Sequence, residues 1–307
     1  MMDSISSKNI LAVFLFLIIG NTLQSQSLNP LENPVYYSVS EALEAEQAKQ
    51  LNLRDQHLFF VPNRLEQLKD LEFLNLMRNN ISKWDEEIFQ LKNLKILNLK
   101  LNSLTYISQK IKKLPELQIL DLSSNNITVV PQEIKLLENL KQFHLSLNLL
   151  TSIPPEVGKC ENLEVLELDN NQLSYLPQAV GNLKKLKLLH LGFNQFNELS
   201  ENCMNLSSLI ELNLEHNQLQ LLPKELSNLQ NLKSLFLNNN KLKQLPESLT
   251  ELKNLEMLVI SNNHLEQLPE HLEKMNHLKT IIALNNNFSK EEKLRIKKLL
   301  PNCKLYL

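Results

Sequence analysis

Acidic and histidine side chains recur at one spacing in the middle of this chain. They are Asp121, His144, Glu167 and His190, each 23 positions after the one before, as from 144 to 167. Imidazole and carboxylate groups together can hold Zn²⁺ or a similar divalent ion. On neighbouring strands they could instead form a ladder of opposite charges, contributing about 0.2–1 kcal/mol per pair. The ladder is the favoured interpretation, because a metal needs converging ligands and a flat column spreads its side chains.

The same spacing extends along the whole chain, because a 23-residue template recurs in register. The template is L-x-x-L-x-x-L-x-L-x-x-N-x-L-x-x-L-P-x-x-I-x-x, and it repeats ten times after Leu68, with one weaker copy before it. Its asparagine column comprises Asn79, Asn102, Asn125, Asn148, Asn171, Asn194, Asn217, Asn240, Asn263 and Asn286. A strict repeat of this length predicts a solenoid, in which each unit buries its leucines against its neighbours.

Each repeat predicts one short strand, a turn and an irregular return segment. Apolar and polar residues alternate around the L-x-L pair, which indicates a half-buried strand. Stacked copies would form a parallel sheet with strands ~4.8 Å apart, whose outward residues make the concave face. The asparagine amide is expected to satisfy backbone groups that the turn leaves without partners. The Leu-Pro pair, as at Pro177 and Pro246, favours short 3₁₀ segments on the convex side.

This pattern resembles the leucine-rich-repeat family, in its 23-residue form with Leu-Pro on the convex side. Ras-suppressor-like repeats and exported bacterial repeat proteins share that form. The resemblance covers roughly Ala45 to the C-terminus. It implies an α/β fold, a right-handed solenoid of eleven turns with a parallel sheet on its concave face. It also implies a non-enzymatic protein-binding scaffold, although the family binds many unrelated ligands and the partner stays open.

Four segments are predicted along the chain. Residues 1–25 form an export signal, because Lys8 precedes an apolar run from Ile10 to Ile19. That run fits a signal core of about 7–15 residues and is shorter than the ~20 residues that span a bilayer. Residues 26–44 are a leader and N-terminal cap, 45–288 the eleven repeats, and 289–307 a C-terminal cap opened by a capping box from Ser289 to Glu292. We therefore expect a secreted, periplasmic or cell-surface protein, with no membrane span in its mature chain.

Composition narrows the class of function. The net charge of -2 argues against a nucleic-acid binder, which needs a basic stripe. The four glycines form no phosphate-binding loop, so no nucleotide cofactor is expected. The three cysteines are scattered along the repeats and the cap, and we expect inert thiols rather than a disulfide framework.

Two apolar groups on the predicted concave face are the expected partner-binding sites. The first lies near the C-terminal end and comprises Phe236, Val259, Ile282 and Leu284, with Phe193, Leu188 and Met257 on flanking positions. The second comprises Phe73, Met77 and Ile96. Contiguous exposed apolar surface with aromatic anchors marks an interaction site. Cover by the C-terminal cap is the alternative for the first group.

The sequence therefore predicts an exported, non-enzymatic scaffold that recognises a protein partner on its concave sheet and needs no cofactor. Two alternatives stay open. The histidine–acid residues could make it a metal-modulated binder, and the asparagine-rich start of the concave face could bind carbohydrate or peptidoglycan. An open sheet offers no enclosed pocket or activated nucleophile, so an enzyme is not expected.

Overall fold

The protein is described by a computed structural model over residues 33–307, and the predicted export signal at 1–25 lies outside the described residues. Thirteen parallel strands form one sheet in chain order. The strands are β1 Val35–Tyr36, β2 Gln50–Asn52, β3 Phe73–Asn75, β4 Ile96–Asn98, β5 Ile119–Asp121, β6 Gln142–His144, β7 Val165–Glu167, β8 Leu188–His190, β9 Glu211–Asn213, β10 Ser234–Phe236, β11 Met257–Val259, β12 Thr280–Ile282 and β13 Lys304–Tyr306.

Strands β2 to β12 follow the repeat template without a slip. Each has three residues, and each pairs in register with the next, as Val165, Leu166 and Glu167 pair with Leu188, Leu189 and His190. The middle residue of every such strand is fully or almost fully buried in the core. Because successive side chains point to opposite faces, the residues on either side of it face outward on the concave surface.

The asparagine column holds the turns together. Asn171 Nδ2 donates to the carbonyl oxygens of Leu168 and Leu145, each at 3.0 Å, and its Oδ1 accepts from the Leu150 amide at 3.0 Å. The same three bonds recur at Asn194 one turn later. Each amide thus satisfies buried backbone groups of its own turn and of the preceding turn, as predicted.

One backbone feature accompanies this column and was not predicted. The residue before each of the ten column asparagines, and the residue before Gln56 in the first repeat, lies in the left-handed region, with φ from 51° to 60°. These eleven residues, here called the turn column, are Asp55, Arg78, Leu101, Ser124, Leu147, Asn170, Phe193, His216, Asn239, Asn262 and Asn285. None is glycine, although glycine adopts this conformation most readily. The side chains they carry therefore stand at the rim of the concave face.

Short 3₁₀ helices line the convex side. They are Leu65–Gln67, Ile88–Gln90, Gln109–Lys113, Gln132–Leu136, Pro155–Lys159, Gln178–Asn182, Glu201–Asn205, Lys224–Asn228, Glu247–Glu251 and Leu272–Lys274. Proline precedes most of the five-residue ones, which fits a residue with fixed φ and no amide donor. Cys160 and Cys203 are buried on this side, and burial raises the pKa of their thiols to about 12 and about 11.

Both ends of the solenoid are covered. Helix α1, Val39–Glu44, begins at Ser38, whose hydroxyl accepts from the Glu41 amide. Strand β1, which lies within the predicted leader and N-terminal cap, adds to the sheet beside β2. Helix α2, Lys290–Leu299, begins at Ser289, whose Oγ accepts from the Glu292 amide at 3.1 Å as the capping box predicts. Strand β13 then pairs with β12 and covers the last edge of the repeats.

Candidate binding surface on the concave sheet

Three columns of outward residues make up the concave surface. The first column contains the first residue of each strand, such as Val165 or Glu211. The middle column contains the third, such as Glu167 or Phe236, and the third column lies two residues further on, as at Asp169. Parallel pairing places neighbours in a column on adjacent strands, about 4.8 Å apart. Residues distant in sequence therefore contact one another here.

His144 and Glu167 form one pair in the middle column. His144 Nδ1 lies 2.8 Å from Glu167 Oε2, and the ring is mostly buried. Burial by itself would lower the pKa of His144, but the hydrogen bond and charge of Glu167 outweigh it and raise that pKa. At Glu167, burial acts to raise the pKa, but the hydrogen bond and charge of His144 outweigh it and lower that pKa. The pair is therefore a hydrogen bond across two strands that favours the charged form of both groups.

His190 does not continue this ladder. Its Nε2 lies 2.9 Å from Glu211 Oε1 in the first column, and its Nδ1 lies 3.8 Å from Asp169 Oδ2 in the third. Burial acts to lower the pKa of His190, but the bond to Glu211 and the charges of Asp169, Glu211 and Glu167 raise it to about 9. His190 is thus a half-buried cation held between two carboxylates.

The four residues share one column on adjacent strands, but they do not form one ladder: His144 pairs with Glu167, whereas His190 and Asp121 bond outside the column. Asp121 is buried, and its Oδ1 accepts from the Ser123 amide at 3.0 Å. Among residues 33–307, no three histidine, cysteine or acidic side chains are grouped so that they could hold a metal ion. Metal binding by Asp121, His144, Glu167 and His190 thus finds no support in the geometry, and of the predicted charge ladder only the His144–Glu167 pair is formed.

The apolar end of the middle column is more closed than the sequence suggested. Phe236, Val259 and Ile282 are neighbours on β10, β11 and β12, and Tyr306 of β13 extends the same column. Val259 is only 2% exposed and Ile282 only 8%, because the rings of Phe236 and Tyr306 stand on either side of them in the column. The expectation that both are open to a partner needs correction. The accessible apolar contacts at this end are Phe236, Met257, Leu284 and Tyr306, all half-buried.

The second apolar group has a different membership from the predicted one. Phe73, Ile96 and Ile119 pack together in the first column, separate from the main core, and are 6%, 7% and 8% exposed. Met77 lies in the third column, is half-buried and does not join them. This cluster is largely covered by its own neighbours, which makes it a weaker docking surface than its composition indicated.

Phe193 lies apart from the apolar end. It belongs to the turn column, is 43% exposed and stacks on His216, with ring centroids 4.0 Å apart and planes 13° apart. The stack stands at the rim beside the charged centre, because Gly192 and Glu215 of the third column immediately precede its two members. Phe193 is therefore an exposed aromatic anchor next to acidic groups.

The asparagine side chains at the start of the concave face are hydrogen-bonded to the neighbouring backbone. Asn52, Asn75 and Asn98 each accept with Oδ1 from the amide two residues on, at 3.0 to 3.2 Å. Their carboxamides act as turn-forming groups, which leaves less of them for a carbohydrate.

Sequence analysis missed Glu211, Ile119 and Tyr306. The first two stand in the first outward column, so interpreting that column beside the middle one would have found them. Tyr306 follows the last repeat, and only the pairing of β13 with β12 shows its place. No helix between residues 33 and 307 has the length and apolar character needed to cross a bilayer.

The repeats match a known family. Residues 69–127, 115–173, 138–196, 161–219 and 208–265 match the leucine rich repeat family. Together with the parallel sheet and its 3₁₀ turns, this confirms the predicted fold class. The chain belongs to the leucine-rich-repeat family, whose members commonly act as non-enzymatic protein-binding scaffolds. A search of curated proteins found no significant match.

Solved structures from plants and bacteria are similar. A TDR receptor is 28% identical with a TM-score of 0.77, over 89% of this chain and 50% of that chain. The Arabidopsis receptor kinase HAESA, solved with the peptide hormone IDA and the co-receptor SERK1, is 27% identical with a TM-score of 0.70, over 78% and 42%. InlJ from Listeria monocytogenes, at 24% identity and a TM-score of 0.68 over 78% and 49%, shares the fold. The chain spans half or less of each of these three proteins.

Proposed function

We propose that this protein is an exported scaffold that recognises a protein partner through its concave sheet. The observation that carries the proposal is the placement of polar and apolar groups on that one surface. A half-buried charged centre at His190 adjoins an exposed aromatic stack at Phe193, and half-buried Phe236 and Leu284 follow toward the C-terminal end. Apolar anchors beside oriented charges are what protein interfaces use for affinity and specificity.

Two further observations support it. The similar receptor HAESA was solved with a peptide hormone and a co-receptor, so a sheet of this kind can belong to a protein that binds protein ligands. The apolar run from Ile10 to Ile19 after Lys8 supports export.

Affinity capture tests the proposal. The chain from about Gln26 serves as bait for surface and culture fractions, beside a Phe236→Ser/Leu284→Ser variant. The matched control is Leu149→Ser/Tyr175→Ser, which removes apolar side chains that are 44% and 58% exposed away from the three concave columns. We expect wild type and the control to retain the partner and the concave variant to lose it.

Hydrogen exchange of the complex then locates the interface. Protection over β8 to β12 on binding agrees with the proposal. Equal capture by all three proteins, or protection confined to the 3₁₀ helices, would reject concave recognition. Export is tested separately, by comparing the mature N-terminus of the secreted protein with the sequence near Ser25.

A further inference from the structure

One flank of the solenoid carries exposed apolar side chains at a fixed position of the repeat. This flank is the segment of each turn between its strand and its 3₁₀ helix. Over eight successive turns that position, here called the flank column, holds Phe60, Lys83, Tyr106, Val129, Ser152, Tyr175, Glu198 and Leu221. Its five apolar members are 44% to 66% exposed. Regularly spaced apolar side chains on an otherwise polar exterior indicate a site of interaction.

Backbone hydrogen bonds between turns keep this flank regular. The Asn126 amide donates to the Leu104 carbonyl at 2.8 Å, and one turn later the Leu149 amide donates to the Ile127 carbonyl at 2.9 Å. Members of the flank column that follow one another in sequence order therefore lie on adjacent turns, about 4.8 Å apart. The apolar side chains form one continuous strip rather than scattered points.

The neighbouring column on the same flank is uncharged. It contains Phe59, Ser82, Thr105, Thr128, Thr151, Ser174, Asn197 and Gln220. The opposite flank, between the 3₁₀ helices and the strands, is charged instead, and one of its columns includes Lys92, Glu138, Glu161, Lys184 and Lys253. Charged groups lose more than uncharged ones on leaving water, so the first flank is the one suited to contact with a protein.

The flank column is complementary to its own reversal. If a second copy is turned end for end against it, each residue meets one of matching character. The pairs are Phe60 with Leu221, Lys83 with Glu198, Tyr106 with Tyr175 and Val129 with Ser152. The one cation of the column thus meets its one anion, and both of these side chains are exposed. A shift of one turn would place Lys83 opposite Tyr175 or Leu221, so one register satisfies the whole column.

We propose that this flank is the interface of a two-fold symmetric dimer, in which a second copy of this chain packs antiparallel against it. A two-fold axis perpendicular to the solenoid, at the level between Val129 and Ser152, produces every pair twice. In the turn column on the same flank, the axis places Asp55 opposite His216 and Arg78 opposite Phe193, so no like charges meet in either column. The strands take no part in this contact, and the inference goes beyond the proposed function.

The size of the strip predicts a weak dimer. Eight turns give a length of roughly 38 Å, and the six residues from the turn column to the flank column give a width of about 17 Å. The strip therefore covers roughly 600 Å² on each copy, below the ~800 Å² per partner of a standard interface. We expect a dissociation constant on the order of 10 μM.

Sedimentation equilibrium with charge-reversed variants tests the pairing. The chain from about Gln26, which contains all thirteen strands, is measured from about 1 to about 100 μM, a range that spans the expected dissociation constant. Lys83→Glu and Glu198→Lys should each weaken the dimer about tenfold, because like charges then meet twice. Lys83→Glu/Glu198→Lys restores opposite charges and should return to within about twofold of wild type.

The matched control reverses two charges on the opposite flank. Glu161 and Lys253 are exposed and lie between a 3₁₀ helix and the strand that follows it. Glu161→Lys and Lys253→Glu should each leave the dissociation constant within about twofold of wild type, because these residues lie outside the contact.

Cysteine cross-linking tests the antiparallel arrangement. It uses Cys303→Ser as background, because Cys160 and Cys203 are buried. Adding Lys83→Cys and Glu198→Cys together places two thiols opposite each other, and mild oxidation should join the copies covalently. Adding Lys83→Cys alone should give no covalent dimer, because the two new thiols would lie five turns apart, about 24 Å, and a disulfide needs Cα atoms within ~7 Å.

Three results would overturn the inference. They are a monomer mass at the highest concentration, a charge swap that does not restore the dimer, and efficient cross-linking by Lys83→Cys alone. Thermal melting checks that each variant is folded. The capture control Leu149→Ser/Tyr175→Ser removes apolar side chains from this flank, so we expect it to be monomeric and still to retain the partner. Failure of the dimer and failure of concave recognition are therefore distinguishable.

Discussion

His190 is bonded to Glu211 on the following strand, 2.9 Å away, and not to Glu167, its neighbour in the middle column. Glu167 is instead bonded to His144 on the preceding strand. The charged centre is therefore two linked pairs, each spanning adjacent turns, with Asp169 as a third carboxylate beside His190. Because the carboxylate partners raise the pKa of both histidines, the stability of these turns depends on pH.

Stability should fall as pH rises from neutral to alkaline. The pKa of His190 is raised from 6.5 to about 9 in the folded protein, so its stabilising contribution is complete below pH 6.5 and is lost as pH rises through about 9. The raised pKa of Asp169 acts at lower pH, since its contribution falls as pH rises from 3.8 through about 6. Both contributions therefore decrease with rising pH.

Urea unfolding from pH 6 to pH 9.5 measures the contribution of His190 to the free energy of unfolding. We expect the unfolding free energy of wild type to drop on the order of 2 kcal/mol more than that of His190→Gln across this range. His264→Gln, an exposed histidine on another surface, is the control and should retain the wild-type slope. An equal slope in wild type and His190→Gln would contradict the assignment of His190 as a half-buried cation.

Removing one amide of the asparagine column should destabilise the whole stack. Asn171→Ala leaves the Leu150 amide without its acceptor and removes one of two side-chain donors from the carbonyls of Leu145 and Leu168, which keep Asn148 and Asn194. We expect a loss of about 1–3 kcal/mol in denaturant unfolding, because one buried amide remains unsatisfied. Asn126→Ala, an exposed asparagine one residue after the same column, should change stability by less than about 0.5 kcal/mol. Equal effects of the two substitutions would show that the ladder contributes nothing specific.

The turn column offers a stabilising substitution. Leu147 has φ of 59°, which strains its backbone, and its side chain is 53% exposed and gains little from burial. Asparagine tolerates this conformation, and Leu147→Asn should raise the unfolding free energy by about 0.5–1 kcal/mol. Leu149→Asn replaces a leucine of similar exposure without positive φ and should give no gain. A gain at both positions would point to surface hydrophobicity instead of backbone strain.

Arg295 ties the C-terminal cap to the last repeats. Its Nη2 donates to the Leu268 carbonyl at 2.7 Å and to Glu292 Oε1 at 2.8 Å, and its Nη1 donates to the Glu270 carbonyl at 3.2 Å. Arg295→Met should leave these acceptors free and increase hydrogen exchange in β11, β12 and β13, with little change in β4 to β7. Lys298→Met, on the exposed side of the same helix, is the control. Uniform exchange changes along the sheet would argue that the cap acts globally.

Much of the fold could be predicted because each turn repeats one local pattern. The L-x-L pair places a buried apolar residue, usually leucine, in the middle of strands β2 to β12, and Asn171 and its equivalents bond only within their own turn and to adjacent turns. Such contacts depend on the repeat itself, so a single template determines strand position, register and the asparagine ladder. The start of α2 at Ser289 was equally local, because capping depends on residues three positions apart.

The candidate site was less predictable for a physical reason. A side chain on the concave face can contact residues of three columns on the two neighbouring strands. The repeat does not determine which rotamer, and therefore which partner, the side chain adopts. The ring of His190 could contact Glu167, Asp169 or Glu211, and in the structure it lies between Glu211 and Asp169. Val259 could face solvent or neighbours, and the ring of Tyr306, which belongs to no repeat, stands beside Ile282 at the end of its column.

The sequence by itself determined the period, the parallel solenoid, the buried leucines and the family, because these follow from interactions within one turn and its copy. Only the tertiary structure decided which carboxylate holds His190 and how little of Val259 and Ile282 remains exposed. Those properties depend on distances between side chains 23 or more residues apart, as for His144 and Glu167. Stacking brings such residues into contact, and the chemistry of each contact is settled by packing rather than by the repeat.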